Sequence, residues 1–155
     1  MRGKQAPKRQ IGTDIKFASP VVAKLINYVM KDGKKSTAQR IVYQALDIIE
    51  EKTKTPAIDT FNTAVNNISP LLEVKSKRVG GVNYQIPMQV RAERRTQLAF
   101  RWLLLAARSK KGKPMAEKLA TEILAAAENQ GDAVKKKQDV QRMAEANRAF
   151  AHFAR

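Results

Sequence analysis

Few residues in this chain have the type and spacing for covalent chemistry. Glu50 and Glu51 are the only adjacent carboxylates. Such a pair serves as acid and base when burial or close approach drives the two pKa values apart. Here the pair sits at the end of a helical pattern and reads as a solvated face. His152 is the single histidine, so a two-histidine mechanism or a histidine-rich metal site is excluded. It reads as a surface or interhelix residue, with base stacking as its alternative use. There is no cysteine, which excludes disulfides, zinc-thiolate sites, iron–sulfur clusters and thiol nucleophiles. Gly80-Gly81 is not followed by Lys-Ser/Thr and opens no helix, so it forms no phosphate-binding P-loop. An RNA-modifying enzyme would need a cofactor loop or an activated nucleophile, and the sequence offers neither. The expectation is no catalytic residue, no metal, no cofactor and no small-molecule substrate.

What remains is charge. Of 155 residues, 30 are Lys or Arg and 14 are Asp or Glu, a net of +16. Residues 41 to 74 carry two bases, Lys52 and Lys54, against five acids, Asp47, Glu50, Glu51, Asp59 and Glu73, a net of −3. The rest of the chain therefore carries +19. Its bases come in blocks: Arg2, Lys4, Lys8 and Arg9; Lys31, Lys34 and Lys35; Lys75, Lys77 and Arg78; Arg91, Arg94 and Arg95; Arg108, Lys110, Lys111 and Lys113; and Lys135, Lys136 and Lys137. Arg142 and Arg148 follow near the C-terminal end. One such block alone reads as solvated surface. Six around one acidic centre read as a footprint for a polyanion, most simply nucleic acid. Arginine suits phosphate oxygens because its planar fork donates to two of them at once.

The elements that must carry these blocks are mainly helical. The segment 1–18, with Gly3, Pro7 and Gly12, has no helical period and reads as a basic arm ordered on binding. Ser19-Pro20 caps and opens a first helix, with Val21, Val22, Leu25, Ile26, Val29 and Met30 at helical spacing and Gly33 at its end. Ser36 and Gln39 fit a capping box for a second helix running to about Lys52. A third runs from Thr55-Pro56 to Pro70. The period then falls to two. Val82, Tyr84, Ile86, Met88 and Val90 alternate with polar residues or proline, behind Gly80-Gly81, giving an antiparallel hairpin over residues 72–91 with a two-residue turn. That turn sets Lys77 opposite Tyr84 and Lys75 opposite Ile86. A two-stranded ribbon alone is marginal in water, so the arm is expected to lean on a partner. Tyr84 has two readings, a stacking platform for an unpaired base or a ring turned to the core; Trp102, among Leu98, Leu105 and Ala106, reads as core. A fourth helix spans about Ala92 to Ala107, a fifth runs from Pro114 to Gly131, and a last, capped by Asp132, carries Val140, Met143, Ala144, Asn147, Phe150 and Ala151. The expected fold is one mainly α domain over residues 1–155: six helices, a β-hairpin arm inserted between the third and fourth, and the basic N-terminal arm.

The longest apolar runs, such as Leu103 to Ala107, fall far short of a bilayer span. MRGKQAPKRQ is not followed by an apolar stretch of the kind a secretory signal needs. A soluble intracellular protein is expected. An architectural DNA-binding protein is the competing reading, since such proteins also use basic β-arms. They place an apolar wedge or proline at the arm tip, whereas here the tip is Val79-Gly80-Gly81-Val82 and Pro87 lies back in the strand.

Several long stretches resemble one family. Ser19-Pro20 through Lys31-Asp32-Gly33-Lys34-Lys35, Arg78-Val79-Gly80-Gly81 with Tyr84-Gln85-Ile86-Pro87, and Val90-Arg91 with Arg94-Arg95 are similar to bacterial small-subunit ribosomal protein seven. So are Phe100-Arg101-Trp102, Ala127-Glu128-Asn129, Gly131 through Lys137, and Arg142 through His152. The resemblance covers almost the whole chain. It implies a helical domain with a protruding hairpin, located on the cytoplasmic ribosome, binding the 3′ major domain of small-subunit ribosomal RNA and nucleating assembly of the subunit head. It also implies proximity to exit-site tRNA, to the mRNA exit path and to ribosomal protein eleven among the head and platform proteins. On that resemblance the hairpin tip, Val79, Gly80, Gly81, Val82, Asn83 and Tyr84, faces tRNA and mRNA, while the N-terminal arm, the Lys31 to Lys35 turn and Arg94-Arg95 hold ribosomal RNA. Two departures stand out. The opening is Arg2-Gly3-Lys4-Gln5-Ala6-Pro7-Lys8-Arg9 in place of an Arg-rich one, and the chain stops at Arg155 where some members run on, so no function of a longer tail is expected.

Overall fold

The computed structural model describes residues 3, 6, 7 and 11–154. Six α-helices are present among them: α1 (Pro20–Val29), α2 (Lys35–Thr53), α3 (Ala57–Ile68), α4 (Ala92–Ser109), α5 (Met115–Ala127) and α6 (Asp132–Ala146). Strands β1 (Leu72–Val79) and β2 (Val82–Gln89) stand between α3 and α4, and a 3-10 helix, Arg148–Ala154, follows α6. This is the expected mainly helical architecture with an inserted hairpin. Helix α5 packs against α2, α3, α4 and α6 and presents Leu119, Ala120, Ile123 and Ala126 to the interior. Phe61 of α3 and Phe100 of α4 are fully buried there, their rings stacked with centroids 6.3 Å apart. Removing this much apolar surface from water is what holds the bundle.

The turn between α1 and α2 departs from the simple reading. Helix α1 ends at Val29, and Gly33 belongs to a separate turn in which the Lys34 amide donates to the Lys31 carbonyl at 2.9 Å. Asp32 and Gly33 both have positive φ, 51° and 73°, the pair of left-handed conformations a type I′ turn requires and Asp-Gly tolerates. The turn thus sets where α2 begins. Lys34 takes the cap position and no side chain caps the helix, so Ser36 lies inside the first turn and makes no capping box. Gln39 instead donates to the Tyr43 hydroxyl at 2.9 Å.

The hairpin has the expected register, with Lys77 opposite Tyr84 and Lys75 opposite Ile86. Gly80 and Gly81 have φ of 57° and 87°, as a two-residue turn that follows the strand twist demands. The arm's support is intramolecular. Ile86 is buried, and the hairpin packs on α6 and the 3-10 helix. Apolar spacing predicts a last helix running through Ala151. That helix stops at Ala146, and Asn147 donates its side-chain amide back to the Met143 carbonyl at 2.8 Å. The chain then turns so that Phe150 and Phe153 meet the Tyr84 ring at 5.1 and 5.3 Å. Tyr84 is therefore held by the chain's own aromatics.

The start of α6 is also built differently. Gly131 takes the cap position, Asp132 lies in the first turn, and no cap comes from either side chain. The Ala133 amide donates instead to Glu122 Oε1 of α5 at 3.0 Å. Gly131 has φ 91° and ψ 169°, a region open essentially to glycine alone, and a Cβ there would stand 2.8 Å from Glu122 Oε1.

Within the expected N-terminal arm, Asp14, Lys16 and Phe17 are bound to the chain itself. Asp14, 6% exposed, accepts from the backbone amides of Lys16 and Phe17 at 3.1 Å each and from the Tyr43 hydroxyl at 2.7 Å. Lys16 pairs with Asp47 at 2.6 Å. Burial of Tyr43 and its hydrogen bond to the Asp14 carboxylate both raise the phenol's pKa above its ordinary 10.0, because ionisation would put a second negative charge beside the first. The folded state thus holds this proton more firmly than the unfolded chain does. That contribution to stability is fully present below about pH 10 and is lost as pH climbs through the raised value. Ultraviolet phenolate titration should show Tyr43 ionising above the ordinary phenol value, and Asp14→Asn should lower its midpoint.

Candidate nucleic-acid interface

The basic blocks sort into those free to meet a polyanion and those spent on the fold. Lys31 and Lys34 project from the α1–α2 turn, Lys35 from the start of α2, Arg108 from the last turn of α4, and Lys111 and Lys113 from the α4–α5 connection; all six are exposed. The bundle brings the α1–α2 turn and the end of α4 to one place, since Lys31, Lys34 and Arg108 line a single cavity of about 330 Å³. Sequence spacing gives no hint of that meeting, because the loops stand more than 70 residues apart.

On the hairpin, Lys75, Lys77, Arg78 and the tip residues Gly80, Gly81, Val82 and Asn83 are exposed; Val79 and Tyr84 are half-buried. Lys75 lies 3.3 Å from Glu73, and Lys77 donates to the Phe153 carbonyl at 2.9 Å, so part of the arm's charge also fixes its shape. Arg91 is exposed, but Arg94 and Arg95 are half-buried. Arg94 Nε donates to Glu73 Oε2 at 3.2 Å, and Arg95 Nε to the Val90 carbonyl at 3.0 Å. These two arginines fasten the hairpin root to α4 with one side of each guanidinium. On α6, Lys135, Lys136 and Arg142 are exposed, as is Arg148 beyond it, while Lys137 donates to the Asn67 carbonyl at 2.7 Å. Arg2, Lys4, Lys8 and Arg9 lie outside the described residues.

Lys110 serves the interior. Its Nζ sits 2.6 Å from Glu122 Oε2, meeting that oxygen as a point charge rather than through an aligned hydrogen bond. Glu122 is fully buried, with its other oxygen on the α6 amide. Sequence reasoning missed it, since a glutamate flanked by Thr121 and Ile123 reads as one more surface position on an amphipathic helix.

Among the described residues no group of three His, Cys, Asp or Glu side chains is arranged to hold a metal, and no helix is long and apolar enough to cross a membrane. What the surface offers is rows of cationic side chains on loops around an apolar bundle. The model of the family described as ribosomal protein S7p/S5e matches residues 1–148. This chain belongs to that family. The small ribosomal subunit protein uS7 of Thermotoga maritima is 60% identical over 153 residues, covering 99% of each chain. That of Chloroherpeton thalassium is 56% identical over the same span and coverage. That of Acidithiobacillus ferrooxidans is 51% identical over 152 residues, 98% of this chain and 97% of the relative. These relatives are ribosomal proteins and not enzymes, in keeping with a surface built to bind.

Proposed function

We propose that this chain is a structural constituent of the small ribosomal subunit in the cytoplasm and acts there by binding ribosomal RNA directly, without catalysis. The observation that carries this reading is the meeting of Lys31 and Lys34 of the α1–α2 turn with Arg108 at the end of α4 around one cavity. Lysines and arginines placed along phosphates displace condensed counterions, whose release drives association. RNA is read largely by its folded shape and its unpaired nucleotides, because the A-form major groove is too deep and narrow for side chains. Residues 1–155 act as one domain in this proposal. The 3′ major domain of the RNA is the target the family resemblance supports, with nucleation of head assembly as the consequence. The exposed hairpin tip, residues 80–83, is the element suited to tRNA and mRNA at the exit site, and ribosomal protein eleven is the neighbour this reading places beside it.

Charge reversal tests the assignment. Lys31→Glu with Lys34→Glu and Lys111→Glu should weaken binding to 3′-domain RNA by at least about tenfold, since each phosphate no longer neutralised takes one step off the salt slope, while far-ultraviolet circular dichroism stays unchanged. Arg94→Glu should differ in kind, releasing the hairpin from Glu73 and lowering stability as well as affinity. Equal RNA affinity in the triple variant and the parent protein would remove these loops from the interface.

A further inference from the structure

The cavity shared by the two basic loops is more than a place where charges meet. Val29 at the end of α1, Ala38 and Ile41 of α2 and Met115 of α5 form its floor and walls, Thr37 adds a hydroxyl, and Lys31, Lys34 and Arg108 form the rim. Val29 and Ala38 are buried, Ile41 and Met115 half-buried, and Thr37 and the three cations exposed. Binding of phosphates alone needs no such floor, because phosphate oxygens gain nothing from aliphatic carbon and a thioether. A ligand that fits both parts has a flat, weakly polar body and an anionic edge. A nucleotide turned out of its stack has this form: a base to lie on the apolar floor and a phosphate on either side to meet the rim.

We propose that the cavity between the α1–α2 turn, the end of α4 and the start of α5 seats one unstacked nucleotide of the bound RNA. The proposal rests on the RNA-binding reading above and deepens it by naming what this part of the interface holds. The base lies against Ile41 and Met115, whose aliphatic and thioether surfaces suit a π-face, and the cations clamp its flanking phosphates. The apolar walls hold a base in place, while the rim supplies the salt dependence.

The test uses the full chain and a 3′-domain transcript in which each unpaired nucleotide is replaced, one at a time, by an abasic residue. One position is expected to lose affinity by about five- to 150-fold, the range of a single base stacked on a protein surface. Thr37→Trp fills the cavity mouth from an exposed position. Its affinity for the intact transcript should fall by a similar factor with the salt slope unchanged, and the abasic penalty at that position should vanish. Met115→Ala, which removes one wall, should shrink the same penalty and serves if the tryptophan variant does not fold. A scan without any such position, or a penalty undiminished in both variants, overturns the proposal. Steep salt dependence surviving that outcome would leave the RNA-binding reading standing, whereas failure of the parent protein to bind the transcript would sink that reading itself.

Discussion

Between about 50 and about 200 mM monovalent salt, the affinity of this protein for small-subunit ribosomal RNA is expected to fall by about three to five decades. The size follows from the number of cations in reach. Lys31, Lys34, Lys35, Arg78, Arg91, Arg108, Lys111, Lys113, Lys135, Lys136 and Arg148 are all exposed, and engagement of roughly eight phosphates gives a slope of about −6 to −7 in log affinity against log salt. Arg94, Arg95, Lys110 and Lys137 are left out of that number because each already has a partner within the fold. Filter binding over a salt series reads the slope directly. An affinity flat in salt would mean that the cations are a solvated surface and that the RNA is held by other means.

The second large effect concerns stability. Glu122→Ala should cost about 2–4 kcal/mol, since it removes a charged acceptor from a buried amide and leaves Lys110 without its counter-charge. For a chain of this length that corresponds to a fall in Tm of roughly 5–15 °C. Lys110 is 33% exposed and relaxes toward water, which keeps the cost below that of stranding a fully buried cation. Glu122→Gln separates the two contributions: its carbonyl oxygen still accepts from Ala133, so only the ion pair is removed and the cost should be about half. Gly131→Ala attacks the same junction from the other side, through its positive φ and the approach of Cβ to Glu122 Oε1, and should cost about 1–3 kcal/mol. Thermal and urea unfolding check all three. A Glu122→Ala protein as stable as its parent would show that the α5–α6 junction does not depend on this carboxylate.

The parts of the fold legible in the sequence are those set by local period and turn chemistry. Alternation from Val82 to Val90 behind Gly80-Gly81 marks the hairpin, while its register is settled by burial of Ile86, which a one-residue slip would turn to water. The parts that are not legible depend on distant partners. Asp32-Gly33 punctuates the chain equally well as a helix end or as a tight turn, and only the turn hydrogen bond decides where α2 begins, which displaces the capping box suggested by Ser36 and Gln39. Apolar spacing continues past Asn147, yet Phe150 and Phe153 leave the helix to pack on Tyr84, some 70 residues away. Asp14 and Glu122 are buried acids claimed by distant groups, the Tyr43 hydroxyl for Asp14 and the Ala133 amide for Glu122, and nothing in their own neighbours announces it.

The candidate interface divides along the same line. Counting charges locates the blocks, since long cationic side chains in turns stay in water unless a partner claims them. Counting does not reveal that Glu73 claims Arg94, that Glu122 claims Lys110, or that two remote loops share a cavity. The acidic stretch from 41 to 74 is part of the explanation: Asp47 and Glu73 hold Lys16, Lys75 and Arg94 in place.

Ultraviolet crosslinking of the intact protein in cell lysate, followed by sequencing of the attached RNA and mapping of the attached peptides, addresses the central claim most directly. The expected result is small-subunit ribosomal RNA from its 3′ major domain, joined to peptides from the Lys31–Lys35 turn, the Arg108–Lys113 loop and the hairpin tip. Recovery of no small-subunit RNA, or of crosslinks confined to peptides outside these loops, would contradict it.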